Sequence, residues 1–154
     1  MELTDLLTRA DLLVRHRAAG KRQLLDALAR HAAERTGIPE RAIVEVLLDR
    51  ERLGTTGIGR GIAIPHGKLA SLERMYGVLA TLETPIPFDA IDDKPVDLVF
   101  MLLAPESAGA DHLQALARIS RALRDRSVCD RLRRADTPDA AMAVLASGAA
   151  THAA

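Results

Sequence analysis

One segment limits the folds open to this chain more than any other. It is K-P-V-D-L-V-F-M-L-L-A-P, residues 94–105. Between its prolines every position but Asp97 is apolar. A strand with one wet face alternates; this one does not. It therefore predicts a central strand over Val96–Ala104, covered on both faces. The strongly apolar part, Leu98–Ala104, is far too short to span a bilayer. Covering both faces requires helices on both sides of a sheet, a layered α/β domain.

The rest of the chain supplies those layers. Leu12–Arg17 alternates weakly and suits an edge strand. In Lys21–Arg35, Leu24, Leu28 and Ala32 recur every four residues, with Leu25 and Ala29 widening the face, as in an amphipathic helix. Gly37 stops it. Pro39 suits the first position of a second helix, Pro39–Glu51, that buries Ile43, Val46 and Leu47. Arg50 and Arg52 fall at its C-terminal end, where cations are favoured. Gly54–Gly61 reads as irregular. Ile62–Ile64 reads as a short buried strand with His66 just beyond its end, and Met75–Leu82 as a stronger one. Phe88 marks a further short strand among turns.

After the central strand, Asp111 with Gln114 reads as a capped helix start. That helix, Asp111–Arg124, is expected to bury Leu113, Leu116, Ile119 or Ser120, and Leu123. Ser127 with Asp130 starts a short helix to Arg134. Thr137–Pro138 starts a last helix to about Ala146. The expected unit is one α/β layered domain over 1–154, a mixed sheet with helices on both faces, its core at about 5–146 and a frayed tail at 147–154.

Composition removes several function classes. The 154 residues carry no net charge, which gives no footprint for nucleic acid as an obligate partner. Aromatics are 2%, so base-stacking platforms are essentially missing. The single cysteine, Cys129, rules out an internal disulfide and a Cys-rich zinc site. The N-terminus lacks the pattern of a secretory signal. A cytoplasmic chain without direct membrane insertion is expected.

Chemistry concentrates in Arg50–Lys68, R-E-R-L-G-T-T-G-I-G-R-G-I-A-I-P-H-G-K. Gly67–Lys68 invites a nucleotide P-loop, but Gly61 to Gly67 encloses five residues where that loop needs four, and Leu69 stands where a hydroxyl should bind magnesium. Gly57-x-Gly59-x-Gly61 has the wrong spacing for a dinucleotide fingerprint and precedes a strand instead of following one. No G-x-S-x-G elbow occurs. His66 and His112 alone are too few for zinc, so no metal or cofactor is expected.

What remains is histidine as the nucleophile. Such a residue needs exposure, a fixed ring and donors for phosphoryl oxygens. Pro65 and Gly67 shape the chain around His66; Arg50 and His112 can supply donors. Gly57, Gly59 and Gly61 permit the tight turn, and some of their amides can face a phosphate.

The same stretch closely resembles the active-site signature of type-2 enzyme IIA domains of the bacterial phosphoenolpyruvate phosphotransferase system. D-H-L-Q-A-L-A-R-I-S, residues 111–120, resembles that family's second block, and K-P-V-D-L-V-F-M-L-L-A-P its central strand. The likeness covers roughly residues 5–146. It implies a five-stranded mixed sheet. It implies that His66 accepts phosphate from an HPr-like phosphocarrier (HPr or NPr type), through Nε2 with Nδ1–H held by the backbone. Arg50 and His112 match the family's other active-site residues. G-T-T-G-I-G-x-G-I-A-I-P-H is nearer the nitrogen-related branch than the mannitol branch, and a freestanding chain with no attached IIB or IIC segment is expected.

That branch acts on downstream regulatory proteins. The alternatives are a sugar-transport IIA that passes phosphate to a IIB domain, and a binding module without transfer. Arg60 departs from the pattern, which has a small polar residue there; an extra cation for phosphate or a partner, or a solvent-facing side chain, are both open.

Overall fold

The computed structural model describes residues 2–153, with side chains described through Ser147. The elements are β1 (Leu12–His16), α1 (Lys21–Thr36), α2 (Glu40–Arg52), β2 (Gly57–Gly59), β3 (Ile62–Ala63), β4 (His66–Leu69), β5 (Tyr76–Ile86), β6 (Val96–Pro105), α3 (Ala110–Ala122), α4 (Arg126–Arg134) and α5 (Pro138–Ala153).

β6 is the centre of the sheet, as its composition demands. It pairs antiparallel with β5 on one edge and parallel with β3 and β4 on the other. β1 joins the far edge of β5 in parallel, and β2 joins β3 antiparallel. The alternation of β6 divides its side chains between two cores. Val99, Met101 and Leu103 pack with Leu24, Leu28, Ile43 and Leu47 of α1 and α2. Leu98, Phe100 and Leu102 pack with Ile119, Leu132 and Leu145 of α3, α4 and α5. Each such large side chain, buried on either face, contributes about 1.5–3 kcal/mol. The result is helix on sheet on helix. No helix of the described residues is long and apolar enough to cross a membrane.

The sheet has six strands where five are expected. β3 and β4 lie end to end on one edge of β6, Ile62 and Ala63 opposite Leu98 and Val99, His66 opposite Leu102. They form one lane broken at Ile64–Pro65, so five lanes hold six strands. His66 consequently opens a strand of its own instead of trailing the previous one. β2 corrects the expectation that 54–61 is irregular throughout. Gly57 sits in the ladder opposite Ala63, and a Cβ there would meet Ala90 Cβ at 2.8 Å, so close backbone packing substitutes for β-propensity. Phe88 lies in no strand but is a buried anchor, 1% exposed.

Helix starts also differ. α1 ends at Gly37 with φ +78°, the expected left-handed stop. Pro39 is the N-cap of α2, one position earlier than expected. α3 starts from Gly109, and no side chain caps it. Asp111 is thus inside the first turn, and the buried positions are His112, Ala115 and Ile119. Leu113, expected in the core, is 70% exposed. α4 is capped by Asp125, which accepts from the Ser127 and Val128 amides, so Ser127 is not its cap. Thr137 Oγ1 accepts from the Ala140 amide at the start of α5, as the Thr-Pro pair predicts. α5 runs past the expected end near Ala146 to Ala153. The frayed-tail expectation for 147–154 concerns mostly residues outside those described in full.

Candidate active site

The break in the β3–β4 lane makes the site. Proline cannot donate a backbone hydrogen bond. Leu102 N–H donates to the Pro65 carbonyl at 2.9 Å, and the Ile64 carbonyl turns instead toward the His66 ring, accepting from Nδ1 at 2.8 Å. α2 lies directly over this point. A Cβ on Gly67 would meet Val46 Cγ2 at 2.8 Å, so glycine lets the helix approach β4 closely. Arg50, in the last turn of α2, donates from Nε to His66 Nε2 at 3.1 Å and from Nη1 to the Gly54 carbonyl at 2.9 Å.

These partners settle the tautomer. Nδ1 faces a carbonyl, which only accepts, so it carries the proton. Nε2 faces a guanidinium N–H, which only donates, so it carries the lone pair. Burial lowers the His66 pKa below its ordinary 6.5; the bond to Ile64 pulls it back in part, and the charge of Arg50 lowers it again. The half-buried ring is therefore neutral at neutral pH, with a nucleophilic nitrogen fixed in direction.

His112 comes from the other helical layer. It is 5% exposed, and its ring stands edge-on to His66 at 88°, with centroids 5.7 Å apart. Among the described residues neither of its ring nitrogens has a hydrogen-bond partner. Burial lowers its pKa too, followed by the influence of His66 and Lys68. Leaving such a group unpaired costs roughly 1–3 kcal/mol, a cost that suits a residue waiting for a ligand.

The structure thus brings together Arg50, His66 and His112, framed by Pro65 and Gly67. It does not bring Arg60 to them. Arg60 sits in the β2–β3 turn at φ +57°, between Gly59 at +100° and Gly61 at +80°. Its N–H donates to Asp92 Oδ2 at 2.9 Å, and its carbonyl accepts from Arg133 Nη2 at 2.9 Å. Gly59 and Gly61 serve that turn. Ile62, which follows it, is already roughly 13 Å from His66 at about 3.3 Å per residue.

Glu51 is a contributor that sequence reasoning missed. Its side chain is 7% exposed and lies 3.0 Å from Lys21 Nζ. It accepts from the Thr56 amide at 3.1 Å and from the Thr56 hydroxyl. Thr55 Oγ1 donates to the Phe88 carbonyl at 3.1 Å. The two threonines therefore tie down the loop that presents the Gly54 carbonyl to Arg50. An acid beside Arg50 and before T-T was the available signal; its cation, on α1, was not visible.

The family model "Phosphoenolpyruvate-dependent sugar phosphotransferase system, EIIA 2" matches residues 5–148. The chain belongs to this family. Members of the EIIA type 2 family act as phosphotransfer components. A nitrogen regulatory protein of Bradyrhizobium diazoefficiens is 53% identical over 153 residues, 99% of this chain and 100% of that protein. The Escherichia coli K12 nitrogen regulatory protein is 41% identical over 140 residues, 90% of this chain and 86% of its own length. The solved nitrogen regulatory protein IIA-Ntr of Neisseria meningitidis superposes with a TM-score of 0.88 at 29% identity, covering 93% of this chain and 98% of that one. This EIIA is of the nitrogen-related kind.

Proposed function

We propose that this EIIA accepts a phosphoryl group on His66 Nε2 from the phosphohistidine of an HPr-like carrier, and that its phosphorylation state is read by downstream regulatory proteins. The observation that carries this reading is the pair of hydrogen bonds on the His66 ring, Nδ1–H to Ile64 and Nε2 toward Arg50. In the transfer, the P–N bond of the carrier breaks and its imidazole keeps the electron pair. A new P–N bond forms from the Nε2 lone pair. Nδ1 keeps its proton, and the Ile64 carbonyl offsets the positive charge that the ring acquires. Arg50 must leave Nε2 for the phosphoryl oxygens, where its fork provides charge-assisted bonds. His112 offers a ring N–H to the same oxygens. Positioning and charge neutralisation then supply the rate.

The rim suits a protein donor. Leu53, the C-cap of the helix that carries Arg50, is 84% exposed, and Leu113, the residue after His112, is 70% exposed. Two exposed large apolar side chains on the helices that supply Arg50 and His112 give a docking partner something to bury. The HPr-like donor would place this work in the cytoplasm.

The test is intact mass after incubation with phosphoenolpyruvate, enzyme I and the HPr-like carrier. One acid-labile phosphate is expected, and none in His66→Ala. A binding module without transfer would gain no mass, and a label that survives His66→Ala would refute the assignment.

A further inference from the structure

At the far end of the β3–β4 lane, a second cavity carries charge that the phosphoryl site does not use. It has a volume of about 190 Å³. Its floor is apolar: Ile62 from the start of β3, with Leu123 and Cys129 from the α3–α4 corner. Its rim is cationic, with Arg60, Arg124, Arg126 and Arg133, against one acid, Asp130.

The four arginines are not equivalent. Arg133 is tied down, its Nε 3.0 Å from Asp97 Oδ1 and its Nη1 3.6 Å from Asp130. Its Nη2 holds the Arg60 carbonyl, and it fills the space a side chain on Gly61 would need. Arg60, Arg124 and Arg126 are exposed and form no ion pair among the described residues. Of these three, Arg60 is the one whose charge reaches the floor. Burial pushes the Cys129 thiol pKa up, Arg133 and then Arg60 pull it back down, and Asp130 and Asp125 oppose them. Arg60 is moreover held in the left-handed region, which costs a non-glycine residue of order 1 kcal/mol or more. The chain thus keeps an arginine over this cavity at a position that would suit glycine or asparagine.

Unpaired guanidiniums lining one cavity repel one another unless an anion joins them, and their planar forks match phosphate oxygens. The volume exceeds what a bare phosphate group requires, and the floor offers it no hydrogen bonds. We propose that this cavity is a second anion site, distinct from the His66 site, that takes a small organic phosphate. Arg60, Arg124 and Arg126 hold the phosphoryl group, and Ile62 and Leu123 take the organic part. Binding there is reversible and involves no transfer.

Titration with phenyl phosphate, followed by backbone amide shifts, tests this directly. Saturable shifts are expected at Gly61, Leu123 and Cys129. The double variant Arg60→Gln, Arg124→Gln should bind at least tenfold more weakly, a loss of about 1.4 kcal/mol or more. Both side chains are exposed, so an unchanged melting midpoint would verify its fold. His66→Ala should bind as tightly as the unsubstituted chain. Phenol, which lacks the phosphoryl group, should not saturate. Absence of saturation at roughly 10 mM, the weak end of useful affinity, would overturn the proposal. So would equal binding by the double variant, equal binding of phenol, or shifts confined to 66–68 that vanish in His66→Ala.

Discussion

Two buried polar clusters in this molecule are built on opposite terms. Around Asp11, 1% exposed, every lone pair is spoken for. One carboxylate oxygen accepts from Tyr76 Oη at 2.6 Å, Arg35 Nε at 3.1 Å and His31 Nε2 at 3.1 Å; the other accepts from the Thr8 amide at 3.0 Å and its hydroxyl at 3.1 Å. These bonds tie the N-terminal segment to α1 and β5. Around His66 the terms reverse. His112 is buried too, yet among the described residues neither of its ring nitrogens has a partner. A cluster that satisfies itself has nothing left to offer a ligand and holds the fold together. One left short of partners is costly to keep and leaves polar atoms open to a ligand.

The sharpest way to separate the two is to break each. His66→Ala should abolish phosphoryl acceptance, read by intact mass, while leaving the melting midpoint nearly in place. Arg50→Ala should fold normally and accept phosphate roughly 100-fold more slowly, the scale for losing one preorganised donor. Rapid-quench transfer rates would check it, and an unchanged rate would remove Arg50 from the site. Asp11→Ala should do the converse. It strands several donors around a lost buried charge, so about 3–5 kcal/mol of stability should go, measured by urea unfolding, with the transfer rate per folded molecule unchanged. His112→Leu should slow transfer about tenfold yet hold or raise stability by about 1 kcal/mol, since it removes buried polar atoms that had no partners.

The smallest effect separates the clusters by pH. His66, His112 and His16 all have lowered pKa values. The unfolded chain therefore binds more protons than the folded one just below 6.5. Their contribution is fully present above that point and is lost as pH falls through it. The Asp11 pKa is lowered as well, because its hydrogen bonds, with Tyr76 foremost, outweigh its burial. Its contribution persists to far more acid conditions and is lost only below the ordinary 3.8. Melting followed against pH should show two separate declines, and Asp11→Ala should shrink only the acid one, to which Glu83 and Asp92 also contribute.

Much of this was legible in the sequence. The uninterrupted apolar run of β6 predicted a central strand with both faces covered, and the spacing of apolar residues placed α1 and α2. Arg50, His66 and His112 emerged by elimination of other chemistries together with the family resemblance, and they do converge. What was hidden had a physical cause in each case. β2 contains two glycines in three residues, and only its fit against Ala90 makes it a strand. α3 is entered from Gly109, two positions before the acid read as its cap, and its buried face contains His112 while Leu113 falls outside. Asp11 meets Tyr76 across 65 residues and His31 across 20, contacts that no local pattern encodes.

The anchor of the His66 ring has a consequence for how this protein tolerates change. Nδ1 is held by the Ile64 main chain, and every residue type at position 64 brings a carbonyl. Under the proposed reaction, random substitution can therefore alter the rate through Arg50 or His112, or silence the site at His66 itself. It has few routes to a folded protein in which the ring is present but turned the wrong way. A lineage that abandons transfer should lose the histidine outright and keep the scaffold around it.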